Sequence, residues 1–233
     1  RLFTNRLDDF GAGRPRRPTK TYLKMGLRNN GTIAAKETRI FANNGASSGL
    51  APEILFHMAW RIDSLYRMEN IKTDGSLAYT NLLPSGAFRG FGNPQMSFAM
   101  ESHLDVLAEK LKMDPAEVRL RNVVQQGDVT IHGWKMDSCA IDECIRKATD
   151  AIDWAERRKV TKQGNLRTGV GLACAIHSSS IRQKASMYSE DDWDGSTAIV
   201  EISEDGSANV ICGEGELGQG ARQFLHKLRP RNW

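Results

Sequence analysis

Leu83-Pro84-Ser85-Gly86-Ala87-Phe88-Arg89-Gly90-Phe91-Gly92-Asn93-Pro94-Gln95 is the stretch from which the rest of the chain can be read. Glycines at 86, 90 and 92 let a backbone approach a ligand closely. Arg89 brings a fixed cation with five donors, and Phe91 a flat aromatic wall. Asn93 as N-cap and Pro94 at the first helical position predict a helix start. The positive end of that helix favours an anionic group nearby. The apolar spacing Phe98, Leu104, Leu107, Leu111 carries the helix to Lys112. A plainer account makes the segment a turn whose phenylalanines enter the core while Arg89 lies in solvent, and composition by itself leans that way.

Working outward, Asp114-Pro115-Ala116-Glu117 predicts a second short helix with Glu117 closing a capping box. Upstream, Pro52 to Leu65 has Ile54, Leu55, Met58, Ala59, Ile62 and Leu65 on one helical face. The stretch from Asn70 to Leu83 reads as mixed and turn-rich. Apolar runs on either side of Asn29-Asn30-Gly31 predict an antiparallel hairpin through a tight primed turn, because Asn and Gly accept positive φ. Before it, Arg14-Pro15-Arg16-Arg17-Pro18 reads as a solvated basic loop. Downstream, Gln125 to Thr130 marks a boundary and Asp142 to Trp154 a helix. Ala198 to Cys212 forms a second hairpin around Glu204-Asp205-Gly206, with one wet face. The predicted fold class is α+β: two incomplete mixed domains with antiparallel hairpins, residues 1–124 and 125–233.

The second hairpin runs into Gly213-Glu214-Gly215-Glu216-Leu217-Gly218-Gln219-Gly220. Its G-x-G-x-x-G spacing invites a dinucleotide reading, which fails on three counts. The preceding strand is antiparallel, Glu214 and Glu216 put negative charge where a pyrophosphate would sit, and no ribose-binding acid follows. A β-turn or a ligand loop remains, the latter presenting the Gln219 amide and backbone N–H groups.

In 233 residues, 40% hydrophobic and 26% charged, there is room for one large domain or two small ones. No apolar run long enough to span a membrane occurs, so the expectation is a cytoplasmic protein with no membrane contact. The net charge of +4 is uneven: residues 1–30 carry +6, residues 221–233 carry +4, and the rest −6. That pattern argues against a nucleic-acid partner. Cys139, Cys144, Cys174 and Cys212 lack a C-x-x-C pair, and the five histidines share no metal-ligand spacing.

Taken in order, the Leu83–Gln95 stretch, the Asp114 to Asn122 segment and the Gly213 to Gly220 loop resemble the molybdenum-binding large subunit of the xanthine dehydrogenase/aldehyde oxidase family. Within it, His132-Gly133-Trp134, Ser138-Cys139 and Asp142-Glu143-Cys144-Ile145 are most similar to the 4-hydroxybenzoyl-CoA reductase type. The resemblance implies two molybdopterin-binding domains. It places Arg89, with the backbone of Phe88 and Gly90, beside the molybdenum ligands as the catalytic group this chain supplies. Phe91 would stack on substrate, and Gly218, Gln219 and Gly220 would bind the cofactor's pterin and phosphate portion. It implies molybdopterin, in the cytosine dinucleotide form, with molybdenum. It also implies iron–sulfur clusters and FAD on an iron–sulfur small subunit and a flavin-binding medium subunit of a hetero-oligomer. The substrate would be a small aromatic, heteroaromatic or aromatic acyl-CoA compound. His57 stands where xanthine-oxidising members place an arginine, which speaks against a purine.

Three features depart from the family. Its upstream Gly-rich loop and its C-terminal general-base glutamate are absent from this chain, and the tail 221–233 matches no family pattern. The reading is therefore an internal piece of such a subunit, inactive alone. Its rivals are a truncated or frameshifted remnant that at most scaffolds partners, and a basic-ended nucleic-acid binder.

Overall fold

Strands β1 (Thr19–Leu27) and β2 (Ile33–Gly45) do pair antiparallel around Asn29-Asn30-Gly31 in the computed structural model, which describes residues 5–159, 161–177, 197–213, 215–221 and 223. The turn differs from the expected one. Only Gly31 takes positive φ (84°), and Arg28 and Thr32 close a three-residue loop through the Arg28 N–H donating to the Thr32 carbonyl at 2.8 Å. Asn30 keeps ordinary φ and uses its side chain instead, accepting from the Thr32 N–H at 3.1 Å. A three-residue loop with glycine in the left-handed position suits strand twist as well as a primed turn does.

The chain divides into two compact units, residues 1–177 and 178–233. In the first, α2 (Ala51–Arg61), extended by a 3-10 turn at Ile62–Ser64, crosses over to β3 (Asn70–Tyr79), which pairs parallel to β2. The sheet order is β1-β2-β3. The parallel strand lies where the sequence reads as turn-rich, because Asn70, Lys72, Asp74, Gly75 and Ser76 have little strand propensity. Its place comes from tertiary packing: at Gly75 an added Cβ would sit 3.0 Å from Leu55 of α2, so the glycine admits the crossover helix.

Helix α2 buries Ile54 and Met58, and Ile62 and Leu65 continue its face; Leu55 and Ala59 pack partly against the same core. Helix α3 (Asn93–Leu111) buries Met96, Met100, Leu104 and Ala108 at four-residue spacing. Phe98 is not on that face. It lies two residues, about 200°, from Met96 and is 76% exposed. Each fully buried Met, Leu or Ile contributes about 1.5–3 kcal/mol, so this stripe is a principal anchor of α3.

Helix α4 (Pro115–Asn122) starts at Asp114, whose side chain accepts from the Ala116 N–H at 2.7 Å. Glu117 closes no box; it pairs with Arg121 one turn on. Burial would raise the Asp114 carboxyl, but the Trp154 N–H, the Ala116 N–H and Arg158 hold it below the ordinary aspartate range. Helices α5 (Ile141–Ala151) and α6 (Trp154–Arg157) follow, with Ile145 and Trp154 joining the first core. A short exposed helix, α1 (Arg6–Ala12), precedes β1, and a three-residue pair, β4 (Thr161–Gln163) and β5 (Leu166–Thr168), follows α6.

A buried ionic network ties this core together. Glu101 of α3 accepts from the Tyr66 hydroxyl at 2.7 Å, the Arg119 Nε at 2.7 Å and the Cys174 N–H at 2.9 Å. Arg119 is fully buried and reaches Asp105 at 2.8 Å as well. Burial, then the Glu101 charge, pushes the Cys174 thiol up to about 11, so this cysteine is a small hydrophobe and not a nucleophile. All four cysteines are free.

In the second unit β6 (Ala198–Ile202) and β7 (Ala208–Cys212) form the expected hairpin. Its turn is again a three-residue loop, with positive φ only at Gly206. Both of its faces are open, not one: Ile199, Val200, Ile202, Val210 and Ile211 are all exposed. The observed architecture is mixed α+β with small sheets. Most of the tail expected to be aberrant, 221–233, lies outside the described residues. Among the described residues no helix is long and apolar enough to cross a membrane.

Candidate functional site

The first glycine-rich loop is two consecutive tight turns set between the sheet and α3. The Phe91 N–H donates to the Phe88 carbonyl at 2.8 Å, and the Asn93 N–H to the Gly90 carbonyl at 2.9 Å. Gly90 has φ 91°, the signature of a type II turn with Arg89 and Gly90 at its centre. Phe91 (φ 46°) and Gly92 (φ 93°) then turn the chain the other way. Gly92, not Asn93, is the residue before the helix, and Asn93 is its first helical residue. The Asn93 amide donates instead to the Ile176 carbonyl at 2.7 Å.

These glycines are required by what lies behind them. A Cβ on Gly92 would stand 2.4 Å from Met58, and one on Gly90 2.7 Å from the Pro94 ring. Phe91 is half-buried, a non-glycine residue in the left-handed region, which costs about 1–3 kcal/mol and persists because the surrounding structure over-determines it. Its ring meets the His57 imidazole edge-on, centroids 5.2 Å apart. His57 belongs to a run of rings with Phe56, Trp60 and Trp134. Burial, then Arg61 and His177, lowers His57 to about 4, so it is neutral at physiological pH.

On the open side, Phe88 and Arg89 are exposed. Among the described residues the Arg89 guanidinium has no hydrogen-bond or ionic partner, and neither do the N–H groups of Phe88, Arg89 and Gly90. The loop is held from the sequence's basic segment. Arg16 donates to the Arg89 carbonyl at 2.7 Å, and the buried Arg17 to the carbonyls of Ala51 and Ser85 at 3.2 and 3.3 Å. Both arginines escaped the sequence reading, which placed 14–18 in solvent. The only available signal was two prolines flanking the pair, which fix the backbone of a segment too short to form an element of its own.

The second loop organises itself. Gly218 (φ 103°) and Gly220 (φ 85°) turn their N–H groups onto one Glu216 carboxylate oxygen, at 2.7 and 3.2 Å. The Gln219 amide accepts from the Leu217 N–H at 2.6 Å and donates to the Gly215 carbonyl at 2.7 Å. The groups expected to face a ligand are thus engaged within the loop, and a carboxylate marks where an anionic oxygen sits against these glycines. Glu214 lies outside the described residues. The donor set of each loop, backbone N–H groups with Arg89 in one and convergent glycine N–H groups in the other, fits a large anionic, hydrogen-bonding cofactor. Among the described residues no three His, Cys, Asp or Glu side chains converge as metal ligands. A separate cavity of about 590 Å³, lined by Asp105, Met113, Asp114 and Trp154 among others, includes no residue of the first loop.

Comparison with known proteins supplies the nature of that cofactor. Residues 1–123 match one molybdopterin cofactor-binding domain and residues 147–228 a second. A putative xanthine dehydrogenase molybdenum-binding subunit of Escherichia coli K12 is 33% identical over 231 residues, 96% of this chain. Aldehyde oxidase 3 of Mus musculus is 28% identical over 234 residues, 99% of the chain. The structure is similar to aldehyde oxidoreductase from Desulfovibrio gigas, with TM-score 0.70 and 28% identity over 84% of the chain. The chain spans 29% of the length of the Escherichia coli relative, 17% of the mouse oxidase and 21% of the Desulfovibrio chain. With the two glycine-rich loops in this order, the chain belongs to the molybdopterin-binding domains of the xanthine dehydrogenase/aldehyde oxidase family.

Proposed function

We propose that this chain contributes both cofactor loops to a molybdenum-dependent oxidoreductase acting on an aromatic, heteroaromatic or aromatic acyl-CoA compound, as in the 4-hydroxybenzoyl-CoA reductase type. The observation that carries the reading is the first loop, in which three N–H groups and a guanidinium stand open on a backbone fixed from behind by Met58, Pro94 and Arg16. When bound, the molybdopterin cofactor, in its cytosine dinucleotide form, supplies the two-electron redox chemistry; the protein supplies orientation and electrostatics. Arg89, with the N–H groups of Phe88 and Gly90, would hold the molybdenum end of the cofactor, its guanidinium offsetting charge that develops there, as this chain's catalytic group. Gly218, Gln219 and Gly220 would hold the pterin and phosphate portion, with the cofactor's acceptors in place of the Glu216 oxygen on the Gly218 and Gly220 N–H groups.

The aromatic preference is supported by Phe91, whose ring is fixed by its backbone and by His57, and by the adjoining rings of Phe56, Trp60 and Trp134. A neutral imidazole at His57 offers no positive charge to an anionic purine oxygen. In this reading residues 1–124 belong to the first cofactor domain and 125–233 to the second, electrons are exchanged, in the oxidative or the reductive direction, with an iron–sulfur small subunit and a FAD-binding medium subunit, and the hetero-oligomer works in the cytoplasm. The test is a substrate panel on the full-length protein assembled with those subunits. Turnover of aromatic or N-heteroaromatic compounds or aromatic acyl-CoA thioesters, abolished in Arg89→Ala, is expected. Turnover of hypoxanthine or aliphatic aldehydes alone would refute the substrate assignment.

A further inference from the structure

Among the described residues, Arg16 grips the first loop by its backbone and by a ring at once. Its Nη2 donates to the Arg89 carbonyl at 2.7 Å, and its Nη1 to the Gln95 Oε1 in the first turn of α3 at 3.3 Å. Its guanidinium carbon lies 4.7 Å from the centre of the Phe88 ring. Gln95 completes the clasp by donating from Nε2 to the Arg17 carbonyl at 3.2 Å. These contacts use the planar fork of arginine: two donors in fixed relation and a flat face. A lysine at this position could make one of them at a time.

The carbonyl that Arg16 holds belongs to the central peptide of the Phe88–Phe91 turn. That peptide distinguishes the two common turn types: rotating it by about half a turn converts type II into type I. Glycine at 90 permits either form, so nothing in the residue itself fixes the choice. A trans peptide is planar, and its N–H points opposite to its C=O. Holding the Arg89 oxygen toward Arg16 therefore fixes the Gly90 N–H on the other side, where it has no partner among the described residues.

We propose that Arg16 is a positioning residue that locks the Arg89–Gly90 peptide, so that the Gly90 N–H and the Arg89 side chain stay presented on the open side of the loop. The inference rests on that loop being a cofactor loop. It assigns to the basic segment 14–18 a role in shaping the site, in place of contact with phosphate or solvent.

The test compares Arg16→Lys and Arg16→Met in the full-length protein assembled with its partner subunits. Amide exchange at Phe91 and Asn93, whose N–H groups close the two turns of the loop, should rise about ten-fold in Arg16→Met, the weight of one charged hydrogen bond, and by less in Arg16→Lys, with the rest of α3 and α4 still protected. The molybdenum(V) resonance should change shape, and kcat should fall with little change in KM, as expected for an interaction felt in the transition state. Lysine should rescue each effect only in part. Unchanged exchange and resonance in Arg16→Met would overturn the proposal. So would loss of protection throughout α3 and α4 in both variants, which would make Arg16 a folding element. Wild-type protein that holds no molybdenum would refute the cofactor reading alone, because exchange at Phe91 and Asn93 tests the lock with or without the metal.

Discussion

The two glycine-rich loops look alike as sequence and are stabilised in opposite ways. The first, 86–92, has its shape imposed from outside: Met58 and Pro94 leave no room for a Cβ, Arg16 holds the Arg89 carbonyl, Arg17 holds the Ser85 carbonyl just before the loop, and α3 carries its end into a core. The second, 213–220, follows a hairpin whose apolar side chains are exposed, and its geometry comes from its own Glu216 and Gln219. Similar residue chemistry thus gives one loop that is preorganised by distant parts of the fold and one whose described hydrogen bonds lie within it. The first should be sensitive to changes far along the chain, the second to changes at Glu216 and Gln219.

The sharpest way to separate them is Glu101→Gln. It leaves Arg119 buried without its main counter-charge, and should destabilise the first unit by about 3–5 kcal/mol in chemical denaturation. The exchange rates of Gly218 and Gly220 should stay where they were; a parallel change there would break the comparison. Next comes a pair of identical substitutions. Gly92→Ala meets both the positive φ and Met58, and should cost about 1–3 kcal/mol. Gly215→Ala meets nothing within 4 Å at ordinary φ and should stay within about 0.5 kcal/mol of wild type. Equal costs would show that the first loop is not held from behind.

A smaller effect concerns acid. His57 is lowered to about 4 in the folded protein, whereas an unfolded chain protonates its histidines near about 6.5. Between those values the unfolded state binds the extra proton, so His57 contributes no pH dependence above about 6.5, and stability declines as the pH falls toward 4. Thermal melts from pH 7 to 4 should show this slope in wild type and a shallower one in His57→Gln. Coincident profiles would mean that the imidazole beside Phe91 is not held neutral.

Much of the architecture was legible wherever local chemistry and tertiary structure agree. Asn-Gly and Asp-Gly punctuation located both hairpins, and the apolar spacing of Ile54, Met58, Ile62 and Leu65 gave α2 its buried face. The parallel strand β3 was not legible, because its residues carry no strand pattern and its pairing with β2 depends on a helix closing over Gly75. Phe98 misled for a related reason: the methionines that form the real stripe of α3 are easily overlooked beside an aromatic residue. At the site, Arg89, Phe91 and the glycines announced themselves by type. Arg16 did not, since a cation between prolines looks the same in sequence whether it is solvated or folded back onto a carbonyl 73 residues away. Nor did the Glu101–Arg119 pair, whose partners are 18 residues apart and meet only through the crossing of α3 and α4.

Elemental and pterin analysis of the full-length protein, purified with its partner subunits after expression with a molybdenum supply, tests the central claim most directly. The account predicts stoichiometric molybdenum and pterin in the wild type, both diminished when Gly218 and Gly220 are replaced by valine. An assembled, folded protein that carries neither would contradict it.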